Sequence, residues 1–424
     1  MIEKLYNIFL THSIVSIDSR KITKNCLFFA LKGPNYNANE FASKALRDGA
    51  AYVVVDDRKY VLDQRYILVN NVLKSLQDLA KYHRSKLTCP LIAITGTNGK
   101  TTSKELCQKV LQKKYKTKAT KGNLNNHIGV PLSILSIKNE DEIAIIEMGA
   151  SQIGDIEFLC QIAQPSLGII TNIGKAHLEG FGSISGVLKT KTELYKYLKL
   201  NNSPIFIKDN QELLLNEFPK ECTKISYGEL NSSIFQIKIL EAQPYCVVTV
   251  GKEKINSRLI GYFNFDNIAL SIAVGLYFDV EINDIKKAIE NYIPSNNRSQ
   301  IIQTLKNTIL LDAYNSNPMS VESAITNLKK ISHPKKAMIL GDMFELGTES
   351  DNEHLKLIRL CQESEIKEVI LVGELLHGLN RTGFASFSKR DELINYLKKN
   401  AFENSFILVK GSRLLELEKI TKYL

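Results

Sequence analysis

The sequence predicts an α/β protein of three domains, spanning residues 1–85, 86–295 and 296–424. Three observations carry that prediction. A chain of 424 residues is about three times the roughly 150 residues typical of one domain. Compact apolar runs alternate with helical patterns, as expected for strands buried on both faces of a parallel sheet. The alternation comes in two series, separated by the polar stretch Pro294-Ser295-Asn296-Asn297, which reads as a boundary.

The elements follow in order. Up to residue 85, short β-like runs at 26–31, 51–55 and 66–69 accompany one helical pattern at 39–48, giving a small α/β domain. Past Cys89-Pro90, apolar runs at 91–95, 143–148, 167–173 and 204–207 alternate with helical segments and predict a parallel sheet. After the polar stretch, strands are expected at 308–311, 337–340, 368–372 and 406–409, with helices at 319–331 and 391–399 between them. No internal repeat or low-complexity tract interrupts the pattern.

Composition narrows the class of protein. Hydrophobic residues make up 44% and charged residues 24% of the chain, with 23 Gly and 10 Pro, so extended disorder and collagen are excluded. The apolar runs fall far short of the roughly 18 to 20 residues of a membrane span. An early acid at Glu3 and the lack of a sustained apolar core give no secretory signal, so a cytoplasmic location is expected. The seven cysteines are odd in number and never form a C-x-x-C pair, which predicts reduced, structural thiols without a zinc site. Lys and Arg exceed Asp and Glu by 55 to 45, a net charge of +10 that suits a nucleic acid, an anionic lipid or a phosphorylated small molecule.

The most informative segment follows the run at 91–95. It reads Gly96-Thr97-Asn98-Gly99-Lys100-Thr101-Thr102 and opens a helical pattern near Ser103. Glycines let backbone N–H groups close around phosphate oxygens, and a helix amino terminus adds partial positive charge. Lys100 can neutralise terminal phosphates, and the Thr101 hydroxyl can ligate Mg²⁺. The usual phosphate loop has a glycine five residues before its second one; here that position is Ile94, so the loop is a shortened variant.

With this loop, the chain resembles the Mur ligase family of ATP-dependent amide-forming enzymes. The likeness continues through Glu147 in Ile145-Ile146-Glu147-Met148-Gly149-Ala150, through Ala176-His177-Leu178-Glu179-Gly180-Phe181-Gly182, and through Lys191-Thr192-Glu193. Four further segments point to the branch of the family that acts on a UDP-muramoyl-tripeptide and D-alanyl-D-alanine. They are Gly122-Asn123-Leu124-Asn125-Asn126-His127-Ile128-Gly129-Val130-Pro131, Leu311-Asp312-Ala313-Tyr314-Asn315-Ser316-Asn317-Pro318, Gly341-Asp342-Met343-Phe344-Glu345-Leu346-Gly347 and Val409-Lys410-Gly411-Ser412-Arg413. The resemblance implies a small UDP-sugar-binding α/β domain, a central P-loop ATPase domain built on a parallel sheet, and a C-terminal Rossmann-like domain that closes over it.

It also implies the site. Residues 96–102 would hold ATP, and Mg²⁺ would be ligated by Thr101 and Glu147, with a second ion at His177. Lys191 would be carbamylated by CO₂, which inverts the sign of its side chain and requires a neutral amine. Asn264 and Asn267, in Gly261-Tyr262-Phe263-Asn264-Phe265-Asp266-Asn267, would contact adenine, with Phe263 where the family usually has histidine. Asparagine is also a favoured helix cap, so the same pair would serve to start a helix at 265–278. Arg298 would reach the γ-phosphate and Asp312 the ribose hydroxyls. Asn123, Asn125 and Asn126 would meet the nucleotide-sugar substrate. Ser19, between Asp18 and Arg20, and the segment 32–37 would hold the uridine diphosphate. Lys410 and Arg413 would meet the carboxylate of the dipeptide.

The expected catalytic set is therefore Lys100, Glu147, His177, Lys191 and Arg298, acting with ATP and Mg²⁺ in a monomer without a nucleic-acid partner. Three alternatives remain at this level, the first being another Mur ligase, against which the Asn123–Asn126 cluster and the 312–318 run argue less strongly. A folylpolyglutamate synthase-like ligase shares the phosphate loop and metal-site layout, although the Asn123–Asn126 cluster and the 312–318 run disfavour it. A basic P-loop nucleic-acid-binding protein is favoured only by the net charge, which is spread along the chain without a basic run interleaved with aromatics.

Overall fold

The computed structural model describes residues 1–424. Its strands form three main sheets, each mainly or wholly parallel. In the first, Val15–Ser16, Leu27–Phe29, Tyr52–Val55 and Tyr66–Leu68 lie side by side in that order, all parallel. The second has seven parallel strands, in the order Phe235–Gln236, Lys224–Gly228, Ile205–Lys208, Leu167–Ile170, Leu91–Thr95, Ile143–Glu147, Thr117–Ala119. The third runs Gln300–Gln303, Thr308–Asp312, Phe406–Lys410, Lys336–Gly341, Glu368–Val372, Ala385–Phe387, with only the first strand antiparallel.

The central strands Leu91–Thr95 and Ile143–Glu147 are buried along their whole length, because helices cover both faces of a parallel sheet. This is why they read as unbroken apolar runs. Strand order also fixes where a ligand can sit. From Leu91–Thr95 the chain builds first to one side, toward Thr117–Ala119 and Ile143–Glu147, and then crosses to Leu167–Ile170 on the other. Such a reversal opens a crevice at the carboxyl ends of the strands.

Residues 26–66 hold a core cluster of their own, and a second cluster runs across the expected boundary at residue 85. The helix Val72–Arg84, capped by the Asn71 side chain on the Lys74 N–H, belongs to a hydrophobic cluster that runs from Leu5 and Leu27 of the first layer to Ile205 of the second. Elements absent from the sequence reading include the amino-terminal helix Ile2–Thr11, the helix Val72–Arg84, the edge strand Thr117–Ala119, and an antiparallel sheet of Lys238–Glu241, Tyr245–Val250 and Glu253–Ile260. No helix is long and apolar enough to cross a membrane. All seven cysteines are free and buried.

Candidate active site

The phosphate loop leaves strand Leu91–Thr95 and enters the helix Lys100–Leu111. Gly96 has φ +139°, and a Cβ there would stand 2.0 Å from Thr171 Oγ1 and 2.9 Å from the Thr171 backbone nitrogen. Gly99 has φ +80°, and its Cβ would meet Asn267 Oδ1 at 2.4 Å. Only glycine fits either place. The segment after strand Leu167–Ile170 braces the loop from the other side of the crevice. The Asn98 N–H donates to Asn172 Oδ1 (2.9 Å), while Thr171 Oγ1 (2.6 Å) and Asn172 Nδ2 (3.1 Å) donate to the Asn98 carbonyl. Lys100 Nζ lies against the loop, donating to the carbonyls of Gly96 (2.6 Å) and Thr97 (3.0 Å). Burial of that ammonium draws its pKa down to about 8, opposed by Glu147 and assisted by Arg298.

The first turns of the helix carry Lys100, Thr101 and Lys104 on one face. Thr101 Oγ1 donates to Glu147 Oε2 at 2.9 Å, and Asn125 Nδ2 donates to Glu147 Oε1 at 2.8 Å. Lys104, 1% exposed, holds its ammonium 3.7 Å from Glu147 Oε2. These residues fit magnesium. Two oxygens on adjacent corners of an octahedron of radius 2.0–2.1 Å are about 2.9 Å apart, the separation seen between Thr101 Oγ1 and Glu147 Oε2. No group of three or more His, Cys, Asp or Glu forms an all-protein metal cage, and Mg²⁺ is ordinarily bound through one or two carboxylates plus phosphate oxygens.

His177 and Lys191 are the other expected ligands. His177 adopts φ +50°, with Nδ1 2.8 Å from Glu345 Oε2. Lys191, 3% exposed, makes no ion pair, and its ammonium lies 5.5 Å from the centre of the Phe181 ring. Burial above all, then the charge of Lys100, holds its pKa well below the usual lysine value, against Asp155 and Glu193. A buried amine of this kind favours the neutral form that carbamylation requires.

A cavity of about 750 Å³ opens over the loop and is lined from both sides. The central sheet contributes the loop, Asn123, Asn125, Asn126, Glu147 and His177. The third sheet contributes Asp312 and Lys410 from its strand ends, with Arg298 just before its first strand. Only 6 of 34 lining residues are hydrophobic, which suits phosphates and sugars rather than an apolar ligand. The Arg298 guanidinium stacks 3.6 Å over the Tyr314 ring. Across the gap, Asn317 Nδ2 donates to Asn98 Oδ1 at 2.8 Å, and Lys175 pairs with Glu353 at 2.8 Å.

Several sequence expectations change here. Lys410 Nζ is engaged by Asp312 Oδ2 (2.6 Å) and the Asn315 carbonyl (3.2 Å), so it orients Asp312 rather than standing free for a dipeptide carboxylate. Arg413 does not line the cavity and pairs with Glu418 at 2.6 Å. Ser19 also lies outside it, in a turn held by the Asp18–Arg20 pair. Asn264 and Asn267 do line it, but their amides bond to the protein. Asn267 Oδ1 accepts from Ser103, Asn267 Nδ2 donates to Asn264, and Asn264 Nδ2 donates to the Ile260 carbonyl. Asn264 makes no side-chain cap bond to the helix Phe265–Tyr277. The pair braces Gly99. Asn126 Oδ1 accepts from the N–H groups of Ile128 and Gly129 and so starts the helix Gly129–Leu135.

Lys104, Thr171, Asn172, Asn317 and Glu345 were not anticipated as site residues. A readable signal existed for Lys104, four residues after Lys100 on a helix. Asn317 and Glu345 fall inside the segments 311–318 and 341–347 that carry the family resemblance, whereas Thr171 and Asn172 depend on contacts that no local spacing encodes.

Residues 94–275 match the model of the Mur ligase middle domain, and residues 297–413 match that of the Mur ligase, glutamate ligase domain. The UDP-N-acetylmuramoyl-tripeptide--D-alanyl-D-alanine ligase of Bacillus subtilis (strain 168) is 32% identical over 423 residues, covering 96% of this chain and 92% of that protein. Among solved structures, a crystal structure of MurF from Acinetobacter baumannii is similar with a TM-score of 0.86 at 27% identity, covering 100% of this chain and 98% of that one. MurF from Thermotoga maritima, solved in complex with ADP, gives a TM-score of 0.84 at 26% identity and covers 98% and 97%.

Proposed function

Because the chain belongs to the Mur ligase family, we propose that it joins D-alanyl-D-alanine to a UDP-N-acetylmuramoyl-tripeptide with ATP. The observation that carries this reading is the single polar cavity in which the loop 96–102, the Thr101–Glu147 pair, the asparagines of segment 122–126 and the strand ends at Asp312 and Lys410 all meet. Residues 1–85 are assigned to the UDP-sugar, 86–295 to ATP and 296–424 to the closing ligase domain. Ser19 and segment 32–37 belong to the uridine end of the substrate.

Joining a carboxylate to an amine in water is uphill, so the carboxylate must first be activated. Its oxygen attacks the γ-phosphorus of ATP and ADP leaves, giving an acyl phosphate. The dipeptide amine then attacks the acyl carbon, and phosphate leaves the tetrahedral intermediate. The loop's backbone N–H groups orient the triphosphate, and Lys100 and Arg298 face the charge that spreads over the transferred group. Thr101 and Glu147 would hold Mg²⁺, which supplies charge neutralisation at the phosphates. Asp312, fixed by Lys410 and by the Ser299 N–H (3.2 Å), keeps acceptor capacity for ribose hydroxyls. Contacts across the cavity keep water from the acyl phosphate.

Two finer assignments belong to this reading. His177 would hold a second ion. Lys191 reacts as the free amine with CO₂, forming a C–N bond and releasing one proton, so that a carboxylate replaces the ammonium. Lys191→Ala is expected to lose activity and to regain part of it with added acetate or formate; full activity that ignores these carboxylates would remove the assignment. A monomeric, cytoplasmic enzyme is part of the same proposal.

The deciding experiment is phosphate release measured with each UDP-muramoyl-peptide and with the dipeptide omitted. Release that requires both the tripeptide nucleotide and D-alanyl-D-alanine is expected. Release driven by a pterin substrate, or by nucleic acid, would overturn the proposal.

A further inference from the structure

We propose that Lys104 is a positioning residue that ties the substrate segment 122–126 to the carboxylate of Glu147, so that binding at one is felt at the other. The inference rests on the reading above, in which that segment meets the muramoyl-peptide and Glu147 holds magnesium.

A lysine in a protein interior is costly unless its charge is matched. Lys104 is 1% exposed within the helix Lys100–Leu111, where an apolar side chain of similar length would pack without that cost. Its ammonium has two partners. Glu147 Oε2 lies at 3.7 Å, and the Gly122 carbonyl accepts from it at 3.4 Å. Glu147, itself 1% exposed, divides its two oxygens between the same two structures. Oε2 faces the helix through Thr101 and Lys104, and Oε1 accepts from Asn125 of the substrate segment. The backbone completes the frame, since the Gly149 N–H donates to the Asn125 carbonyl at 2.7 Å and the Glu147 N–H to Thr120 Oγ1 at 3.0 Å.

Segment 122–126 is thus held at both ends to one carboxylate, by Asn125 directly and by Gly122 through Lys104. A shift of the segment on binding substrate turns the carboxylate, and a cation that fixes the carboxylate fixes the segment. Groups that orient a metal-binding carboxylate typically change metal affinity by roughly 10- to 100-fold when removed. Linkage of this kind is reciprocal.

The test measures ADP binding by calorimetry across a Mg²⁺ titration, with and without saturating UDP-muramoyl-tripeptide, on the full chain. In the unaltered protein the tripeptide nucleotide should lower the half-saturating Mg²⁺ by roughly 5- to 150-fold, the usual range of such coupling. In Lys104→Met that ratio should fall to about one. Lys104→Arg, which keeps the charge, should retain part of it, and Asn125→Ala should lose it as Lys104→Met does. In steady state, the KM for the tripeptide nucleotide and the half-saturating Mg²⁺ should rise together while the KM for D-alanyl-D-alanine holds, a split that a general loss of folded protein would not produce. A wild-type ratio in Lys104→Met overturns the proposal. If that variant does not fold, a wild-type ratio in Asn125→Ala overturns it. An unaltered protein that binds both ligands independently removes this inference alone, whereas one that binds neither removes the ligase reading.

Discussion

Replacing Gly96 by alanine probes the phosphate loop without touching any charged group. The added Cβ would lie 2.0 Å from Thr171 Oγ1, 2.9 Å from the Thr171 nitrogen and 3.2 Å from the Asn172 nitrogen. The hydroxyl can rotate away, but it then gives up its 2.6 Å bond to the Asn98 carbonyl, worth about 1 kcal/mol. The Thr171 nitrogen cannot yield, because its N–H is bound to the Thr95 carbonyl at 2.9 Å in the central sheet. The loop must therefore move, and a non-glycine residue held at φ +139° adds about 1–3 kcal/mol of backbone strain. Together these terms come to about 2–4 kcal/mol, which corresponds to roughly 30- to 1000-fold weaker ADP binding if the loop recovers its shape only with nucleotide. Calorimetric titration with ADP, beside a melting curve to register any share taken by global stability, measures the effect. Gly251→Ala is the control, since Gly251 also has positive φ (+56°) but nothing within 4 Å of its Cβ; it should leave ADP affinity unchanged. Gly96→Ala that binds ADP within about threefold of the parent, at an unchanged melting temperature, would refute the reasoning.

Two further predictions concern single side chains. Thr101→Val keeps the shape but removes the hydroxyl beside Glu147, and should raise the half-saturating Mg²⁺ for ADP binding by roughly 10- to 100-fold; an unchanged Mg²⁺ requirement would take Thr101 out of the cation site. His83 is buried, bonds the Ile137 carbonyl through Nε2 at 2.8 Å, and is held below its ordinary pKa mainly by burial. Above the unfolded value of about 6.5 its contribution to stability is complete. As pH falls below that value the unfolded chain takes up a proton that the folded protein resists, so stability is lost. Urea midpoints at pH 7.5 and pH 5 should therefore fall less in His83→Gln than in the parent, and an equal fall in both would show that His83 does not contribute.

The fold was legible where burial is uniform and obscure where it alternates. Glu368–Val372 was read with its observed bounds, and Leu91–Thr95 likewise, because parallel strands covered on both faces leave unbroken apolar runs. Glu253–Ile260 alternates buried and exposed positions, and its Glu-Lys-Ile-Asn-Ser-Arg sequence therefore looks like a polar linker. Thr117–Ala119 is a three-residue edge strand, too short to show any period. For the site, the linear segments were readable because their chemistry is local: a glycine, a lysine and a threonine at the start of a helix. Their partners were not. Asn98 meets Asn172 and Asn317, which are 74 and 219 residues away in sequence, and only strand order brings those positions together. Asn264 and Asn267 show the same limit. Their amides suit adenine as well as they suit protein, and it is the missing Cβ of Gly99 that lets Asn267 approach and commits them to the loop.

The contacts that bridge the cavity suggest why two sheets share one site. An acyl phosphate must be kept from water while three ligands enter and three products leave, so the two sides must separate on every cycle. The polar bridges are suited to that. The His177–Glu345 pair is 31% and 54% exposed, and Lys175 is 44% exposed where it meets Glu353. The Glu353 carboxylate is itself only 5% exposed, and it keeps Lys356 as a partner at 2.9 Å if Lys175 leaves. The apolar share of the bridge is small, with Leu178 and Ile260 reaching into the cluster beneath the third sheet. By contrast, everything that fixes Thr101, Glu147 and Lys104 lies within the central sheet and its helices, in a buried network where each group is matched. On the proposed reading, substrate geometry is set by this buried network, and the third sheet brings Arg298 and Asp312 to it on closing.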